Sequence, residues 1–370
     1  MRTLLFAESP TGTVTVLEDR RTRQRQMYVD NSSVIGTTFD ALKVARMLGL
    51  LPIVLHPAPE EVFVIGYGAG VTTSMLNASP AVRHIEVREI VPAVSTASHL
   101  FSMVNHNALD SEKVNLEFGD GRNQLLLSKR RWDVITCDPI HPLYGSAALY
   151  SLDFFNLCRD RLKPGGIVCQ YLPLHQMPPD RFRQAVSTFS EAFEHTRVAF
   201  SLGHGVLIGS QAPIELDWHL WDRRLAEIAH QDDLIDSVLQ RPAQIAALLQ
   251  LDTEACRKVG LPPASTDRHP VLEFLEPDAY EDGVWTANAR TLIEGYAAPL
   301  DEIDGLPRSL VPALQRLIAG KRLLLFSQLA RNERRTDEAR MWLQKAASVA
   351  GDDPEIRRFA EQGRLEGWFR

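Results

Sequence analysis

The sequence predicts an α/β fold: a doubly wound, mostly parallel sheet with an N-terminal β element and a helical C-terminal tail. Three observations carry this. Between Glu61 and Ile208, short apolar strands alternate with helical stretches, the order that covers a parallel sheet on both faces. The first of these strands runs directly into Ile65-Gly66-Tyr67-Gly68-Ala69-Gly70-Val71, a glycine-rich turn that opens a helix. After Ser210 the strand pattern stops and helical, charge-mixed sequence takes over.

Residues 4–29 read as β-rich. Thr13-Val14-Thr15-Val16-Leu17 is β-branched, a polar turn follows, and Gln26-Met27-Tyr28-Val29 returns as its partner. Phe39 to Leu50 has a helical apolar face, ended by Pro52. The alternation then gives strands at 61–65, 84–87, 114–118, 132–137 and 166–170. Helices fall between them at 71–77, 90–105, 123–128 and 151–162. A helix at 181–193 and strands at 196–200 and 206–208 close the sheet region. Residues 216–256 read as helical and 260–285 as rich in proline and acid. From Arg308 the chain reads as helix, with one segment (337–355) like a single tetratricopeptide unit. The expected organisation is a β-rich subdomain at 1–55, a nucleoside-binding catalytic domain at 56–215, a helical and extended extension at 216–298, and a helical tail at 299–370.

The chain has 370 residues, 45% apolar and 24% charged, with a net charge of −7. That balance argues against a nucleic-acid binder working through a basic field. The four cysteines show no CxxC spacing and no histidine cluster, so neither zinc nor a disulfide framework is expected. No apolar run approaches the ~18 residues of a membrane span, and no leader is visible, so the expected compartment is the cytoplasm.

The candidate site residues stand after successive strands. Gly66, Gly68 and Gly70 allow a tight turn and close ligand approach, with Ala69 between them. Glu86, sixteen residues after Gly70, suits a carboxylate that accepts from both ribose hydroxyls, or equally a strand-end surface charge. Asp120, in Gly119-Asp120-Gly121, suits the exocyclic amine of adenine. Asp138 follows the fourth strand, in the crevice where open α/β sheets bind ligands. It suits a base for an amine nucleophile, or a turn aspartate before Pro139. A dinucleotide enzyme shares the first two motifs but does not need the last two.

In this order the motifs resemble the spermidine synthase family. Lys163-Pro164-Gly165-Gly166, Gln170, Leu149-Tyr150-Ser151 and Thr266-Asp267 add to the resemblance, which covers roughly residues 4–280. It is closest to a bacterial branch often fused to transporter-like membrane segments. The resemblance implies a Rossmann-like AdoMet-dependent transferase fold. It also implies S-adenosylmethionine or its decarboxylated form as donor substrate, an amine acceptor, no metal, a homodimer and a possible membrane-protein neighbour. Carried over, Glu86 binds ribose, Asp120 and Gly121 frame adenine, and Asp138 activates the amine. The segment around Pro139 to Gly145 is a gate, with Tyr144 and Tyr150 as candidates for the acceptor pocket.

The chain also departs from the family. Ala69 stands where polyamine makers carry a loop aspartate, and His141 where they carry a second aspartate beside the amine. His141 suits either a neutral base near pH 7 or a packing role. Losing the loop carboxylate removes a partner for an aminopropyl ammonium and a clash with the carboxylate of intact AdoMet. The sequence therefore predicts aminopropyl or related alkyl transfer to an amine. The alternatives are methyl transfer on the same scaffold and a non-catalytic nucleoside-binding scaffold protein.

Overall fold

The computed structural model describes residues 1–138, 142, 145–273, 283–295, 299–365 and 367. The chain begins with a four-stranded antiparallel sheet of β1 (Arg2–Ser9), β2 (Gly12–Glu18), β3 (Arg25–Val29) and β4 (Ser32–Gly36), paired in sequence order. The sequence indicated β2 and β3 through their β-branched and aromatic residues. It missed β4, whose serines and terminal glycine carry little strand preference. Val14, Val16 and Met27 point one way and are fully buried against the larger domain.

Helix α1 (Phe39–Leu55) runs five residues beyond its expected end, straight through Pro52. Proline lacks the N–H that would satisfy the carbonyl of Leu48. Thr136 supplies the missing donor: its hydroxyl donates to the Leu48 carbonyl at 3.1 Å, which makes the proline tolerable inside a buried helix.

The central sheet has eight strands. They are β5 (Glu61–Ile65), β6 (His84–Glu89), β7 (Val114–Phe118), β8 (Trp132–Cys137), β9 (Leu162–Pro173), β10 (His195–Ser201), β11 (His204–Ser210) and β13 (Leu249–Leu251). Their order is β13-β10-β11-β9-β8-β5-β6-β7. The five strands from β7 to β9 are parallel, while β11, β10 and β13 continue the sheet antiparallel. Strand β13 lies inside the region expected to be all helical, and three residues are too short to show a period of two. β12 (Leu216–Asp217) forms a separate parallel pair with β14 (Ile303–Asp304). Strand order reverses between β5 and β8, which places a ligand crevice at their C-terminal ends.

Helices cover both faces. Val62 and Val64 of β5 pack with α1 and α2 (Val71–Asn77), while Phe63 and Ile65 pack on the opposite side. There they meet α5 (Gly121–Leu127), α6 (Leu152–Asp160) and α7 (Pro179–Ala192). The expected helix at 90–105 is instead α3 (Ala93–Ala97), a 3-10 turn (Ser98–Phe101) and α4 (Ser102–Asn105). Local hydrogen bonds compete with one continuous helix: Ser95 donates to the Pro92 carbonyl at 2.8 Å and Asn105 to the Ser98 carbonyl at 2.9 Å.

The C-terminal half adds α8 (Trp218–Glu227), α9 (Gln231–Asp236), α10 (Pro242–Leu248), α11 (Thr253–Val259) and α12 (Val284–Glu294). The tail is a helical hairpin, α13 (Val311–Asn332) and α14 (Thr336–Ala350), followed by α15 (Pro354–Leu365). It is tied to α1 by buried charge. Lys43 Nζ lies 2.9 Å from Glu355 Oε1, and Lys321 pairs with both Glu355 and, at 2.7 Å, Asp353. Among the described residues no helix is long and apolar enough to cross a membrane.

A candidate nucleoside-binding and catalytic site

A cavity of about 350 Å³ opens at the C-terminal ends of β5, β6 and β8, where the strand order reverses. Gly66, Gly68, Glu89, Asp120, Gly121 and Asp138 line it. Asp30 and Val34 reach it from the N-terminal sheet.

The glycine loop needs its glycines. Gly66, Gly68 and Gly70 have φ of +87°, +54° and +80°, a region that side chains with a Cβ rarely adopt. A Cβ on Gly70 would also sit 2.3 Å from Tyr67 Oη. Tyr67 fills the space beneath the loop, with its hydroxyl 2.7 Å from Ser98 Oγ and its phenol pushed up to about 12 by burial. Ala69 packs into the core beside Tyr67 and does not line the cavity; its carbonyl accepts from Asn105 Nδ2 at 2.8 Å.

Glu86 is not at the site. It lies in the middle of β6 opposite Phe63, buried, with Arg88 at 2.8 Å and Arg130 at 3.3 Å. The carboxylate at the end of the strand is Glu89. Its Oε2 accepts from the backbone N–H of Tyr67 at 2.9 Å and of Gly68 at 3.4 Å, and its Oε1 from Val91 at 2.9 Å. Glu89 thus holds the glycine loop and faces the cavity at once. Glu86 and Glu89 both stand about 20 residues after the glycines, the spacing of a ribose carboxylate in such folds; what separates them is the strand, which runs on to Glu89.

Asp120 lines the cavity as expected and also caps α5. Its Oδ1 accepts from Arg122 N at 2.8 Å and Asn123 N at 3.1 Å. Gly121 packs so tightly that a Cβ would lie 2.9 Å from Ile65 Cγ1. Arg122, at the rim, donates to the Ala148 carbonyl at 2.9 Å and pairs with Asp267. Asp267 also accepts from Ser151 at 2.7 Å, so the Thr266-Asp267 motif clamps the chain that returns from the cavity into α6.

Asp138 follows β8 with its N–H donating to the Ile65 carbonyl at 3.0 Å. Its Oδ2 accepts from Thr72 Oγ1 at 2.7 Å. Burial raises this carboxyl to about 6; the Thr72 bond pulls it down and nearby Glu89 adds to the rise. A carboxylate poised there suits proton transfer near neutrality.

Tyr150 does not line the cavity. It is fully buried, and its hydroxyl donates to the Tyr171 carbonyl at 2.9 Å, because Leu149-Tyr150-Ser151 turns into α6 and sends the ring into the core. His141 and Tyr144 lie outside the described residues. All four cysteines are buried and free, with their thiols pushed up by burial. Among the described residues no three histidine, cysteine or acidic side chains gather as metal ligands.

Residues 42–202 match the spermine/spermidine synthase domain. The spermidine synthase of Dictyostelium discoideum is 27% identical over 166 residues, 45% of this chain and 58% of that protein. Polyamine aminopropyltransferase 2 of Hyperthermus butylicus is 30% identical over 150 residues, 40% of this chain and 49% of that protein. The chain thus spans between about half and three fifths of these relatives' length. A crystal structure of spermidine synthase in complex with the transition state analogue AdoDATO superposes with a TM-score of 0.50 at 19% identity. That superposition covers 75% of this chain and 85% of that one, and it shows that the two share a Rossmann-like fold.

Proposed function

We propose that this protein moves an aminopropyl group from decarboxylated S-adenosylmethionine to an amine acceptor and releases methylthioadenosine. One observation carries the proposal: among the described residues the cavity is lined by four carboxylates, while its two arginines are engaged by others. Asp30, Glu89, Asp120 and Asp138 line it. Arg88 is held by Glu86 and Glu117, and Arg122 by Asp267. A donor with a sulfonium and a free ammonium suits such a site, as does a cationic acceptor. Among the described residues, the carboxylate of intact AdoMet would meet no arginine that is not already paired, which is costly in a low-dielectric pocket.

In this reading Glu89 binds the ribose hydroxyls, the glycine loop lies along the nucleoside, and Asp120 and Gly121 frame adenine. The acceptor nitrogen attacks the methylene attached to sulfur. A C–N bond forms, the C–S bond breaks with its electron pair left on sulfur, and the nitrogen's extra proton passes to Asp138. The donor is already activated, so the protein supplies alignment and a base.

A second reading, methyl transfer from intact AdoMet, draws on Ala69, which leaves the glycine loop without a carboxylate. Calorimetric binding of decarboxylated AdoMet, AdoMet, methylthioadenosine and NADH, followed by product analysis with a diamine, tests both. Tighter binding of the decarboxylated donor and release of methylthioadenosine are expected. Preference for intact AdoMet with adenosylhomocysteine as product would establish methyl transfer instead. Binding of NADH alone would refute both.

A further inference from the structure

We infer that Thr72 is the positioning residue that holds Asp138 ready to accept a proton, and that the close crossing of α1 and α2 at Gly49 sets its place. The inference rests on the reading of Asp138 as the base of the proposed transfer.

Thr72 is 1% exposed, and its Oγ1 lies 2.7 Å from Asp138 Oδ2 and 3.0 Å from the Ala45 carbonyl of α1. A threonine hydroxyl has one proton to donate. Here it has two acceptors, and the charge on Asp138 decides between them. Against the ionised carboxylate the proton points to Oδ2, where a charge-assisted bond is about twice as strong as a neutral one. Once Asp138 is protonated that advantage disappears, and the hydroxyl turns to Ala45. The hydroxyl is bonded in both states, so neither state strands a buried donor. The bond at Oδ2 also turns the carboxylate so that Oδ1, which accepts no hydrogen bond among the described residues, is left for the amine.

The position of Thr72 follows from packing. A Cβ on Gly49 would lie 2.7 Å from the Thr72 carbonyl oxygen and 2.8 Å from Met75 Cβ, so the two helices touch backbone to backbone there. A side chain at 49 would have to displace α2, and Thr72 with it. The β-branched threonine is stiff at χ1, which fixes the hydroxyl where serine would turn. The other titratable groups that act on Asp138 or feel its charge, among the described residues, are Glu89 on β6, Cys137 on β8, Tyr150 before α6 and Tyr171 on β9.

The test is a carboxyl ¹³C NMR titration of the full chain, with the Asp138 signal assigned through Asp138→Asn. Thr72→Val removes the donor at nearly constant volume, and the Asp138 midpoint is expected to rise by about one to two units. Thr72→Ser should return it most of the way, and Gly49→Ala should raise it by less than the valine does. Unchanged methylthioadenosine affinity certifies each variant's fold; if the valine variant does not fold, Thr72→Ala carries the comparison. A midpoint that stays at the wild-type value in the variant lacking the hydroxyl overturns the inference. Full transfer activity in Asp138→Asn would sink the base reading alone, since the titration still judges the contact between the two side chains.

Discussion

Replacing Glu89 by glutamine separates the two candidate ribose carboxylates, and the structure sets the size of the effect. The carboxylate accepts three backbone N–H groups, two on one oxygen and one on the other. An amide must turn its NH₂ toward one of those sets, so at least one accepted bond becomes a donor facing a donor. A hydrogen bond to a charged group is worth about 1.5–3 kcal/mol, and a ribose hydroxyl loses an ionised acceptor as well. Methylthioadenosine affinity, measured by calorimetry, should therefore fall about 10- to 150-fold in Glu89→Gln. Glu86→Gln should leave it within about twofold, because Glu86 points at Arg88 and Arg130 rather than into the cavity; the loss there is one of stability, because buried Arg88 keeps only Glu117 as a charged partner. Weak binding by Glu86→Gln together with unchanged binding by Glu89→Gln would refute the geometric assignment and restore the one read from the sequence.

Asp138→Asn should lower turnover about 10²- to 10⁴-fold in a product assay while leaving methylthioadenosine affinity unchanged. The wild-type rate should decline as pH drops through about 6, where the carboxyl takes its proton. Gly70→Ala should cost about 2–4 kcal/mol in urea unfolding, from the left-handed backbone and the Tyr67 contact together; in a double-mutant cycle with Tyr67→Ala, the coupling should equal only the contact's share. Burial pushes Glu355 up, but Lys321 and Lys43 outweigh it and hold its carboxyl at about 2, below an ordinary 4.5. Its contribution to stability is thus complete above pH 4.5 and is lost as pH falls toward 2. Glu355→Gln should cost about 3 kcal/mol at neutral pH and flatten the pH dependence of stability across that window, measured by urea unfolding at several pH values.

The sheet and the glycine loop were legible because they are local: each strand is a short apolar run, and the loop is contiguous. Asp138 and Asp120 were legible because they stand at strand ends. Glu89 is hidden in the sequence because the alternating run ends at Val87, and the pairing that carries the strand on to Glu89 comes from neighbouring β7. Asp30 reaches the cavity across the fold from the N-terminal sheet, a closure that no spacing announces. Thr72 gave no motif, since its importance lies in a contact 66 residues away. Pro52 reads as a helix end unless Thr136 is known to stand beside Leu48. Tyr150 had the residue type of a pocket lining and the placement of a core ring.

The ion pair between Lys43 and Glu355 joins residues separated by 312 positions. During synthesis α1 is made well before Glu355, the residue with which its buried lysine pairs. At about 5–20 residues per second that interval is roughly 15 to 60 seconds. Over that time the nascent chain carries a sheet domain whose first helix keeps an unneutralised amine facing water. Burial of the Lys43 end of α1 is therefore an event that waits for the tail rather than one that accompanies the helix's own synthesis.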